Sequence, residues 1–132
     1  LMDNPTFAQE QVSALKQLNV QVAIDDFGTC YSSLAYLKRF EINKLKVDQS
    51  FVRGMLDDPN DLAIFNGVIG LAAALRRQGI AEGVETVAHG AKLLALGCEL
   101  AQGYGIARPM PAADLPDWVA SWKPDAVWRP SV

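Results

Sequence analysis

The sequence predicts an α/β fold built on a parallel sheet. Short apolar runs of strand length alternate with longer stretches in which apolar residues recur at three- and four-residue spacing. That order, one helix and then four strand–helix units, is the pattern of a parallel sheet with right-handed crossovers. The third observation is placement: charged and amide residues collect where the strands end. The 132 residues are 50% hydrophobic and 20% charged, with a mean hydropathy of +0.08, enough for one core of moderate size. A net charge of -3 gives no basic field, so no DNA or RNA polymer is expected as a partner. The longest apolar-rich run, Leu62 to Leu75, is interrupted by Asn66, Gly67 and Gly70 and too short for a bilayer. No charged-then-apolar signal segment opens the chain. Cys30 and Cys98 do not make a secreted disulfide scaffold. A soluble chain in a reduced cytoplasmic setting, without membrane contact of its own, is the expectation; a membrane-tethered parent stays open.

Asn4 and Pro5 open the first helix as N-cap and first helical residue, and Phe7, Ala8, Val12, Leu15 and Leu18 form its apolar face. Asn19 is the left-handed stop. Val20–Asp25 reads as a buried strand, Ser33–Phe40 as a short helix, and Ile42–Val47 as a second strand ending in Asp48. The turn cluster Asp57-Asp58-Pro59-Asn60 precedes a helix capped by Asn60 or Asp61 and running to about Arg77. Ile64, Phe65, Val68, Ile69, Leu71, Ala72 and Leu75 circle most of that helix, which predicts packing on more than one side. Gly79–Val84 is the third strand. Thr86 caps a helix over Val87–Leu96 that Gly97 ends, with His89 expected to be exposed in its first turn. Cys98–Gly103 is a short fourth strand, and Asp114 or Pro116 starts a last helix through Trp122. Residues 1–122 form the domain and 123–132 a loose tail; Trp118, Trp122 and Trp128 read as packing residues. Two architectures fit, an open doubly wound sheet or part of a (β/α)8 barrel, of which a complete one needs roughly 250 residues.

The strand ends carry the chemistry. The first ends in Asp25-Asp26, the second presents Lys46 and Asp48 on one face, the third carries Glu82 with Glu85 just beyond, and the fourth ends in Gln102-Gly103. Folds of this class build their sites at the C-terminal ends of strands. Adjacent carboxylates repel, and a divalent cation removes the conflict because hard ions take carboxylate oxygens. Paired ions clamp the attacking and leaving oxygens of a phosphoryl displacement, and a lysine beside them offsets charge on phosphate.

Three stretches, DDFGTCYSSLAYLKRFEINKLKVDQSFV, AEGVET and LGCELAQGYGIARPMP, resemble the later motifs of the EAL domain, the family of bacterial cyclic di-GMP phosphodiesterases. The resemblance implies a TIM-like (β/α)8 barrel of which this chain is the C-terminal half, about four parallel βα units. It also implies hydrolysis of cyclic di-GMP to pGpG with two Mg²⁺ or Mn²⁺ ions. Carried over by motif, Asp25 and Asp26 match the metal-binding pair, with Asp25 between the ions. Lys46 matches the catalytic lysine that contacts the water, and Glu82 the catalytic acid at the ion and lysine site. Glu85 and Gln102 match residues on the substrate side.

The sequence also departs from the family pattern. The Glu-Ala-Leu motif is absent, and with it an asparagine and a second glutamate of upstream strands, so three metal ligands and half the barrel are missing. Cys30 stands where the family has glycine, and Glu41, Gln49 and Arg77-Gln78-Gly79 replace other usual residues. The isolated chain is therefore expected to lack phosphodiesterase activity, with the ion site incomplete. The alternative is a degenerate module that binds cyclic di-GMP or a protein partner as a sensor or scaffold. A half barrel leaves two open sheet edges, which predicts self-association, most simply a homodimer that completes the sheet.

Overall fold

The computed structural model describes residues 5–28 and 33–129. Asn4 and Cys30, an expected cap and the loop cysteine, lie outside them. Helix α1 (Pro5–Gln17) leads through Asn19, which takes the predicted left-handed φ of 60°, into β1 (Ala23–Phe27). Then come α2 (Ser33–Arg39), β2 (Lys44–Val47), α3 (Gln49–Gly54), α4 (Pro59–Ala74), β3 (Gln78–Ala81), α5 (Val87–Ala95), β4 (Leu100–Ala101) and α6 (Leu115–Ser121). The four strands form one parallel sheet in the order β1-β2-β3-β4, as the α/β pattern predicts. Lys44, Leu45, Lys46 and Val47 stand opposite Gln78, Gly79, Ile80 and Ala81, and Ile80 opposite Leu100.

Alternation along β2 sorts its residues. Leu45 and Val47 are fully buried beneath the helices, whereas Lys44 and Lys46 face the other side and are half-buried. Phe65, Val68 and Ala72 of α4 join Val52, Ala81, Val84 and Leu93 in the same core. Asn43 ties the first helix to the sheet, its Oδ1 accepting from Lys16 Nζ at 2.6 Å and from Val22 N at 2.9 Å.

Several sequence expectations shift. Helix α4 buries one face only; Ile64 and Leu75 remain exposed, because a single sheet layer lies beneath the helix. Its cap is Asp58, whose carboxylate accepts from Asn60 N at 2.8 Å, with Pro59 at the first helical position. Helix α3 was read as strand end and loop. Asp48 caps it, accepting from Ser50 N at 3.0 Å and from Ser50 Oγ at 2.5 Å. His89 is buried, not exposed: Nε2 donates to Arg53 O at 3.2 Å, and Nδ1 meets Thr86 Oγ1 at 2.6 Å. Within the segment expected as a loose tail, Ala126–Trp128 forms a 3₁₀ turn, and Trp128 Nε1 donates to Val87 O at 2.9 Å. Among the described residues no helix is long and apolar enough to cross a membrane.

Candidate functional site

A regular strand would send Asp25 and Asp26 to opposite faces of the sheet. The register prevents this. The step from Ile24 to Phe27 on β1 faces the shorter step from Leu45 to Val47 on β2, so β1 carries one extra residue, a bulge. Asp26 takes up the irregularity with φ 52°, in the left-handed region that aspartate tolerates better than bulky residues. Its N–H donates to Asp25 Oδ1 at 2.9 Å. Glu82 arrives from the end of β3, where its N–H donates to Val47 O at 3.3 Å and extends the ladder by one bond. As a result, one oxygen from each of Asp25, Asp26 and Glu82 lies within 4.8 Å of the other two.

Crowding sets the protonation of the cluster. Glu82 is half-buried and its carboxyl is pushed up to about 7, by burial first and then by its hydrogen bond with Asp25 and that group's charge. Asp25 moves the other way: the hydrogen bond from Glu82 holds its pKa below the usual aspartate value against the cost of burial. The pair shares a proton, which resides on Glu82. Asp26 is raised by the negative charge of Asp25, and Asp48 is lowered by the Ser50 hydrogen bonds. Lys46 favours the ionised forms of Asp25, Asp26 and Glu82 through its charge. It makes no direct ion pair with them among the described residues.

Beyond Glu82 opens a cleft of about 330 Å³, walled by Gln49, Arg53, Glu82, Glu85, Gln102 and Tyr104. Glu85 Oε1 pairs with Arg53 Nε at 2.9 Å, both half-exposed. Gly103 lets the β4 end press against the loop after β3, for a Cβ there would collide with the Val84 backbone. Val84 N donates to Gln102 O at 3.1 Å across the same seam. All six residues singled out in the sequence thus lie at one end of the sheet, in two groups that share Glu82: Asp25, Asp26 and Lys46 on one side, Glu85 and Gln102 on the other.

Sequence reading missed Arg53, Gln49 and Tyr104, and took Asp48 only as a strand end. Arg53 and Gln49 sit on α3, whose signal was the pair Asp48 and Ser50 ahead of apolar Phe51, Val52 and Met55. Arg108 stands 4.9 Å over the Tyr104 ring, a cation–π pair with no local pattern in the sequence.

The donor set fits a divalent cation. Three hard carboxylate oxygens converge, and Glu82 Oε1 is buried without a hydrogen-bond partner. Both features are unfavourable for the protein alone and are relieved by a positive ion.

Comparison with known proteins places this geometry in a family. The EAL domain profile matches residues 1–109. Cyclic di-GMP phosphodiesterase NbdA of Pseudomonas aeruginosa is 44% identical over 112 residues, 85% of this chain and 14% of NbdA. Cyclic di-GMP phosphodiesterase PdeR of Escherichia coli is 41% identical over 118 residues, 89% of this chain and 18% of PdeR. The EAL domain of Mycobacterium smegmatis DcpA superposes with a TM-score of 0.84 at 39% identity, covering 90% of this chain and 53% of that one. The chain thus spans about half the length of that solved domain and under a fifth of these curated relatives. The chain belongs to the EAL domain family and holds part of its TIM-like barrel.

Proposed function

We propose that this chain forms part of a phosphodiesterase domain that hydrolyses cyclic di-GMP to the linear dinucleotide pGpG. The observation that carries the reading is the convergence of Asp25, Asp26 and Glu82 beside Lys46, on a bulge that only a site rewards. Asp25, Asp26 and Glu82 would hold Mg²⁺ or Mn²⁺, which when bound supplies Lewis-acid activation of water and neutralises phosphodiester charge. Lys46 keeps its ammonium at the same strand ends, where it donates to a water and offsets charge gathering on phosphate oxygens. Gln102 and Glu85 line the cleft that takes the nucleotide, and Glu85 holds the Arg53 guanidinium at its wall. A cytoplasmic setting accords with Cys98, a buried free thiol whose pKa is raised by burial.

For the 132 residues alone we propose no turnover. The described residues provide one cluster of three carboxylates, a donor set for a single ion, whereas a two-ion clamp needs more ligands. That same observation favours a second reading, in which the module binds cyclic di-GMP or a protein without hydrolysing it. The test is to incubate the whole gene product with cyclic di-GMP and Mn²⁺ and to follow pGpG by chromatography. Product from the whole protein supports the first reading. Calorimetric binding of the nucleotide without product supports the second, and neither binding nor product removes both.

A further inference from the structure

We propose that a second copy of this chain closes the open sheet, β4 of each copy running beside β1 of the other, to give an eight-stranded barrel. Among the described residues β1 and β4 each have a neighbour on one side only, and all four strands run parallel. Parallel sheets are stable with both faces covered. Here the helices cover one face, while the other leaves Ala23 and Gln78 exposed, Ile80 half-buried and Leu100 37% exposed.

Area decides the size of the missing partner. A compact chain of 14.3 kDa exposes about 6,800 Å², whereas this one exposes 8803 Å². The surplus of about 2,000 Å² per copy is what an obligate homodimer buries. The apolar surplus sits at both open edges. Helix α1 lies beside α2, where Arg39 Nε donates to Gln9 Oε1 at 3.4 Å, and so flanks β1; Leu15, Leu18 and Val20 stay exposed there. Helix α6 lies against α5, where Trp118 and Trp122 share an apolar cavity with Leu93, and so flanks β4; Leu115 and Val119 stay exposed there. The two edges differ, so the contact is heterologous, and two such contacts related by a twofold axis close the ring. Closure sets Gln102 of one copy beside Asp25 and Asp26 of the other, in one shared mouth.

The inference rests on the barrel reading and not on hydrolysis, and its test contains no nucleotide. Light scattering on the eluting chain should give a particle twice the 14.3 kDa of the chain. Leu100→Lys, at an already exposed edge position, should weaken dimerisation about tenfold or more with an unchanged circular dichroism spectrum. A folded monomer across the concentration range, which would mean that another segment or protein covers this face, overturns the proposal. So does open-ended assembly. The pairing of edges is read separately: Gln102→Cys with Asp26→Cys, in a chain carrying Cys30→Ser, should oxidise to a cross-linked dimer. A dimer that fails to cross-link overturns the β4–β1 arrangement.

Discussion

Glu82 should couple ion binding to pH. Its carboxyl is pushed up to about 7 from an ordinary 4.5, by burial and by Asp25, and one oxygen is buried and unpartnered. A divalent ion ligated there must displace the proton. Above about pH 7 the site is already deprotonated, and below it each pH unit weakens apparent affinity about tenfold, or about 1.4 kcal/mol. Between about pH 8 and about pH 6 the affinity for Mn²⁺ should therefore fall about tenfold. The protons released per ion should rise from about 0.1 to about 0.9. Calorimetry in buffers of different ionisation enthalpy reads both quantities on the 132-residue chain. Glu82→Gln should bind more weakly and lose the pH dependence in this range. Affinity independent of pH in the unmodified chain would refute the reasoning.

Other expectations follow from the same contacts. Because the folded pKa of Glu82 lies above its ordinary value, its contribution to stability is complete below about pH 4.5 and is lost as pH rises through about 7. Glu82→Gln should flatten that slope in thermal melts of the ion-free chain. Asp48→Ala removes the cap of α3 and should cost about 1 kcal/mol, read from urea unfolding. Phe65→Ala empties a fully buried site in the core and should cost about 3–5 kcal/mol in the same assay, near the whole stability of a small domain. Gly103→Ala forces the β4 end away from the Val84 backbone; it should cost about 1–3 kcal/mol and loosen amide protection at Val84.

The sequence made the sheet and its site legible to different depths. Strand order and direction follow from alternation of short apolar runs with helical periodicity, and Thr86 and Gly97 bracket α5 as their capping chemistry predicts. Strand lengths were overread. Gly79–Val84 pairs regularly only over Gln78–Ala81, since Gly83 turns the backbone with φ 76°. The bulge at Asp26 has no sequence signal beyond the tolerance of aspartate for a left-handed φ, yet it is what brings two adjacent carboxylates together. His89 looked exposed because helical position alone does not disclose a partner 36 residues earlier, the Arg53 carbonyl. That partner became visible only when α3 did.

The central claim is that Asp25 and Asp26, with Lys46 and Glu82, are the working end of a metal-dependent phosphodiesterase domain. The direct measurement is the rate of cyclic di-GMP hydrolysis by the whole gene product in Mn²⁺, with and without Asp25→Asn. The account predicts turnover to pGpG that falls by about a hundredfold or more in the variant, with the fold intact by circular dichroism. Turnover undiminished by Asp25→Asn would contradict it.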